Sequence, residues 1–232
     1  MIKLSDYVSH TGYHGYLGNK LLQNIGISVL SKKYNLFPSY DVPVESDILK
    51  FNLYYGNQKI EKCKEYHDTD LNYLLTNQKE LEHGIIFNGY FQHKSLLLGC
   101  RHLVDEIITK REIVRKDTVF VHVRLGDAEI VNHGIDYYRA MLNSISFKEG
   151  IISSDSPNHD IVKKLSQEYS LNNFYSSPID TILVGSECEH RVLSGGTFSW
   201  WIGFLGNNNN VYCRREPKFH GDIFVYPEWN YF

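Results

Sequence analysis

Residues 118–124 read Thr-Val-Phe-Val-His-Val-Arg, an apolar run that passes straight into a histidine and an arginine. Apolar side chains at successive positions bury both faces of a strand, the pattern of a parallel sheet covered on both sides. Parallel strands need crossovers of a dozen or more residues, usually helices. This one segment therefore predicts an α/β architecture. It also sets polar side chains at the point where the strand stops.

The flanking sequence alternates accordingly. HGIIFNGYFQ (83–92) reads as a strand running into a loop, and the leucine-periodic 94–114 as a helix. IDYYRAMLNSI (135–145) reads as a helix, GIISSD (150–155) as a strand and HDIVKKLSQEY (159–169) as a helix. DTILVGSECE (180–189) is a short apolar segment, helix or strand. SGGTFSWWIGFLG (194–206) is a glycine turn opening into a helix, and NVYCRR (210–215) is a last strand. Ahead of these, Leu21, Leu22, Ile25, Val29 and Leu30 share one face of a helix over 19–34, preceded by Gly12, Gly15 and Gly18. The alternation from about residue 84 onward implies a parallel sheet, which sets a C-terminal part, 85–232, apart from an N-terminal part, 1–84. Ligands of such sheets bind outside the carboxyl ends of the strands. Arg124, Asp127, Ser153, Ser154 and Asp155 then fall along one rim.

Charge narrows the function. The net charge is −3, which argues against a nucleic-acid binder, since such proteins neutralise phosphates with a basic surface. The four cysteines (Cys63, Cys100, Cys188, Cys213) form no C-x-x-C pair and read as reduced thiols. The first ten residues have no apolar core of a signal peptide, and no run of about 18 apolar residues predicts a membrane span. A soluble, cytoplasmic protein is expected, with any peripheral membrane role arising through a substrate or partner.

Four constellations could carry chemistry. GYLGNK, before the first helix, could bring backbone N–H groups to an anion. It matches neither dinucleotide nor Walker A glycine patterns, and a turn needing positive φ explains it equally. In HVRLGD, Arg124 offers a planar fork suited to phosphate, or pairs structurally with Asp127. In SGGTFSWW, Ser194, Thr197 and Ser199 could cradle an anion at a helix start, or simply cap it. In HDTD, Asp68 and Asp70 could bind a metal, but their position before LNYLL favours first-turn helix carboxylates. The eleven histidines show no metal-ligand spacing.

The order of these segments carries more than any one of them. GNKLLQ, GYFQHKSLL, HVRLGD, DYYRAML, SSDS, ECEHRVLSGGTFSWWIGFL and the closing YPEWNYF run through nearly the whole chain. The series resembles the α-1,2-fucosyltransferase family. The resemblance implies a GT-B-like fold of two Rossmann-like halves with parallel sheets, the N-terminal half abbreviated and acceptor-side, the C-terminal half holding the donor. It implies transfer of L-fucose, with inversion, from GDP-fucose to a hydroxyl of an oligosaccharide or glycoconjugate, with no metal and no other cofactor.

Residue by residue, Arg124 would grip the donor diphosphate, His122 would sit near the nucleotide, and Asp127 would orient Arg124 or the sugar. Gly18 and Asn19 would close on the donor from the N-terminal half. Ser154 and Asp155 would line the donor site, and Ser194, Thr197 and Ser199 would hold phosphate oxygens. Asp127, His14 and Asp155 are the candidate general bases. The departures from the family pattern are Leu125 for the second Arg of H-x-R-R-x-D, Lys20 for Gln in GNQ, and SSD for SDD. They leave open another donor (GDP-mannose, GDP-rhamnose or a UDP-sugar) and a catalytically silent glycan- or nucleotide-binding remnant. The family's animal members carry a membrane anchor, so the resemblance is to a soluble bacterial or viral form.

Overall fold

A computed structural model describes residues 2–4, 16–40, 43–126, 133–215 and 223–232. Among the expected site residues, Asp127 and the candidate base His14 lie outside them. The chain divides into two units. One holds the described residues up to Thr109, with Ile223; the other holds those from Lys110 to Arg215 and Phe224–Phe232.

In the first unit the elements are β1 (Ile2–Leu4), α1 (Leu17–Tyr34), α2 (Pro43–Ile48), β2 (Cys63–His67), α3 (Leu71–Thr76), β3 (Gly84–Asn88) and α4 (Arg101–Ile107). The sheet order is β1-β3-β2, all parallel. The expected boundary after residue 84 and the division at Thr109 differ because β3 pairs with both β1 and β2. α1 buries the predicted stripe, Leu21, Leu22, Ile25, Val29 and Leu30. It stops at Asn35, which turns left-handed at φ 51° and returns its N–H to Ser31 O.

One expectation changes here. The single helix over 94–114 is instead a π turn, Ser95–Gly99, followed by the short α4. A π turn shifts the helical phase, so the leucine periodicity does not describe one continuous face. The HDTD carboxylates lie in the first turn of a short 3₁₀ helix, Asp68–Asp70, as expected. Asp70 Oδ2 accepts the His67 N–H at 2.9 Å. Asp68 accepts the N–H groups of Tyr90 (2.9 Å) and Phe91 (2.8 Å). Those bonds fix Phe91 at φ 58°, a costly conformation for a bulky side chain. Its ring stacks on Phe87 with centroids 3.8 Å apart and lies over Gly26 of α1, where a Cβ would come within 2.2 Å of it.

The second unit contains β4 (Arg115–Val123), α5 (Ile135–Asn143), β5 (Glu149–Ser154), α6 (Asp160–Glu168), β6 (Asn172–Asn173), α7 (Pro178–Ser186), β7 (Cys188–Val192), α8 (Thr197–Leu205), β8 (Val211–Cys213) and β9 (Asn230–Tyr231). Its strands are parallel in the order β6-β5-β4-β7-β8-β9. The opening segment is thus a central strand, buried on both faces as its composition requires. Val119, Val121 and Val123 meet Met141 and Leu142 of α5 and Val162 and Leu165 of α6. Phe120 points the other way, toward α7 and α8, where Gly185 leaves room for Phe120 and Ile202.

The ambiguous segment from 180 resolves into a helix, α7, capped by Ser177 Oγ accepting the Asp180 N–H at 3.1 Å. The strand β7 that follows has the sequence CEHRV, which no apolar pattern marks. Its Arg191 is fully buried and donates to the carbonyls of Ser186 (3.4 Å), Cys188 (3.3 Å) and Asn208 (2.7 Å). Carbonyl oxygens, with the Asn208 side-chain amide oxygen, and not a carboxylate, receive the two terminal nitrogens, while the Nε has no partner among the described residues. Burial pushes its pKa down to about 10.

Candidate functional site

The carboxyl edge of the second sheet gathers most of the residues expected from the sequence. Register sets their levels. His122 lies opposite Ser153 and Val123 opposite Ser154, and Val121 lies opposite Val192. The first residues beyond the three central strands are therefore Arg124, Asp155 and Leu193-Ser194.

Asp155 organises the exit from β4. Its Oδ1 accepts the Leu125 N–H at 2.9 Å, and its Oδ2 accepts the Gly126 N–H at 3.0 Å. The same Oδ2 pairs with Arg124 Nη1 at 2.9 Å. Gly126 is required by this closeness, because a Cβ there would stand 2.8 Å from Oδ2. Arg124 and Asp155 are each about a quarter exposed, at 24% and 23% of the side chain. Their pair is open to solvent on one side and ordered by backbone donors on the other. Arg124 thus has a structural partner in Asp155; the expected partner Asp127 lies outside the described residues. Ser154 belongs to the same corner, its Oγ accepting the Ser156 N–H at 3.1 Å.

His122 lies one step inside. It is buried, its Nδ1 shares a 3.1 Å hydrogen bond with Ser194 Oγ, and its ring sits 5.2 Å from that of Phe198. Burial lowers its pKa to about 4, the Asp155 charge opposing this and the Arg124 charge adding to it. It is a neutral group at physiological pH that ties β4 to the turn after β7.

That turn opens α8. Gly196 adopts φ 97° before the first helical residue, Thr197, a conformation open to glycine at no steric cost. Ser194 and Thr197 are nearly buried at this start. Ser199 is fully buried, and its Oγ has no hydrogen-bond partner among the described residues. Tyr137 fixes the turn from the α5 side by donating from its hydroxyl to Leu193 O at 2.7 Å.

The sequence reading gave no role to Tyr137 and Tyr138, although DYY is one of the ordered motifs. The buried Tyr138 hydroxyl has no partner among the described residues, and burial together with the nearby Asp155 charge raises its pKa. Arg214 and Arg215, directly after β8, add two cations to the same edge; the signal was the RR that ends NVYCRR.

Gly18 and Asn19 belong to the other unit, in the first turn of α1. Asn19 Oδ1 accepts from Gln92 Nε2 at 3.0 Å, linking GNK to the end of GYFQ. Gln23 Nε2 donates to Gly89 O at 3.1 Å. Two motifs separated in sequence are therefore one local structure. Among the described residues, no group of three or more His, Cys, Asp or Glu side chains is gathered as a metal site.

A parallel α/β sheet with an arginine, buried hydroxyls and a helix start at its carboxyl edge defines a Rossmann-like unit of the glycosyltransferase kind. The model of glycosyl transferase family 11 matches residues 88–232. The chain belongs to that family, the α-1,2-fucosyltransferase family whose motifs its own resemble. Searches of curated proteins and of solved structures returned no match. No described helix is long and apolar enough to cross a membrane.

Proposed function

We propose that the chain transfers L-fucose from GDP-β-L-fucose to a hydroxyl of an oligosaccharide or glycoconjugate, with inversion, forming an α-1,2 linkage without a metal. The observation that carries this reading is the Arg124–Asp155 pair at the carboxyl edge, 2.9 Å apart and anchored to the Leu125 and Gly126 amides, within the family match. Breaking the bond between the anomeric carbon and the diphosphate oxygen leaves positive charge on the sugar and negative charge on the phosphate. Pre-set donors lower that barrier when they face the oxygen where charge develops. Arg124 supplies such donors, and the start of α8 adds backbone N–H groups. The acceptor oxygen attacks the opposite face, and its proton leaves to a base or to solvent. Asp155 fits the holding of Arg124 better than the taking of that proton, since both its oxygens already accept charge-assisted or backbone bonds. Asp127 and His14 remain the other candidates.

The metal-free reading is supported by Asp68 and Asp70, whose carboxylates bind backbone amides. The test is incubation of GDP-fucose with a panel of galactosides. Transfer unaffected by EDTA is expected; no transfer, with no GDP-induced thermal shift, rejects the proposal. Strict Mn²⁺ dependence rejects its metal-free part. Arg124→Ala should abolish transfer with the fold retained, checked by activity alongside circular dichroism. A second reading keeps the fold and changes the donor to GDP-mannose, GDP-rhamnose or a UDP-sugar. Leu125 favours it, because the position after Arg124 carries no charge. Calorimetry with each nucleotide sugar separates the two.

A further inference from the structure

The Arg124–Asp155 pair is neutral as a whole, while a nucleotide-diphosphate leaving group carries several negative charges. A site holding that group therefore calls for a cation beyond Arg124. Among the described residues, the other fixed cations at the carboxyl edge of the second sheet are Arg214 and Arg215, which follow β8. Arg215 lies over the Tyr231 ring, 4.5 Å from its centroid. Arg214 is exposed and makes no ion pair or hydrogen bond among the described residues.

Register fixes where Arg214 emerges. Arg191 of β7 lies opposite Val211 and Val192 opposite Tyr212; the Leu193 N–H continues the ladder to Tyr212 O at 2.9 Å. Two further positions bring Arg214 beside Ser194, whose hydroxyl bonds His122. β8 is two strands from β4, roughly 10 Å at the usual strand spacing, with the start of α8 arising from the strand between them. Tyr212 packs against the core under α5, and side chains two apart on a strand share a face. Arg214 is thus directed to the α5 side of the edge. Its charge is felt there by His133, just ahead of α5, whose pKa burial and Arg214 together lower to about 4.

We propose that Arg214 is the second cation of the donor site, facing the diphosphate from β8 as Arg124 faces it from β4. This rests on the glycosyltransferase reading above. The two arginines then flank the turn bearing Ser194. The uncharged Leu125 takes no part, because its side chain is in the core.

The experiment is calorimetric titration of the full chain with GDP and GMP, UDP and UMP replacing them if only uridine nucleotides bind. Arg214→Ala is expected to weaken the diphosphate at least about tenfold, and the monophosphate less. Arg214→Lys should recover part of the loss, and Arg215→Ala should retain wild-type affinity. Thermal unfolding confirms that each variant folds. An unchanged affinity in Arg214→Ala overturns the assignment. So does an equal loss in Arg215→Ala, which would reduce the effect to overall charge. If the wild-type chain binds neither GDP nor UDP, the donor reading itself fails and the inference with it.

Discussion

Leu125 occupies the position where the resembled motif carries a second arginine, and its own environment accounts for the difference. It is 5% exposed and packs with Val123, Tyr138 and Met141. A guanidinium there would lose its hydration, and Asp155 is already engaged by Arg124 and two backbone amides. Leu125→Arg should therefore destabilise the protein by about 3 kcal/mol and should not raise transfer, as read by thermal unfolding and activity. His122 lends itself to a sign-determined test. Its folded pKa is about 4, against an ordinary 6.5. Below pH 6.5 the unfolded chain takes up a proton that the folded chain refuses. Its contribution is therefore fully present above 6.5 and is lost as the pH falls from there to about 4, on the order of 3 kcal/mol. Denaturant titrations at several pH values should show this slope in the wild type and a shallower one in His122→Gln; equal slopes would refute it. Arg124, His122, Ser154 and Asp155 were readable as residues of the carboxyl edge because each ends or follows a strand. The pairing of Arg124 with Asp155, 31 positions along, was not readable, because strand register brings them together.

At the scale of elements, the legible ones were those whose burial is uniform. β4 is apolar throughout its inner part, and α1 and α6 carry clear stripes. β7 was missed because CEHRV places a buried arginine among backbone carbonyls, a solution that leaves no periodic trace. The helix over 94–114 was overread because a π turn breaks phase without changing composition. The Asp68 turn gives a prediction of its own. Asp68→Ala frees the Tyr90 and Phe91 amides and releases the Phe91 conformation. It should cost about 1–3 kcal/mol and lower transfer through the Gln92–Asn19 link, with stability measured by urea unfolding and activity in parallel.

Across the whole molecule, charge and site point in opposite directions. The chain carries −3, while the second sheet ends in arginines at β4 and β8. Attraction of a diphosphate is then local and screenable. GDP affinity should fall several-fold as NaCl rises from about 0.05 to about 0.5 M, measured by calorimetry; a flat response would mean that the arginines do not face the ligand. The sequence by itself determined the α/β class, the ordered motifs and hence the family, because apolar runs and motif order are one-dimensional properties. It also named most residues of the carboxyl edge. Only the tertiary structure decided that GNK and GYFQ are one assembly, that Asp155 pairs with Arg124, and that Arg214 shares the edge. Strand order and register set those contacts, and they depend on how distant segments pack, which no local pattern encodes.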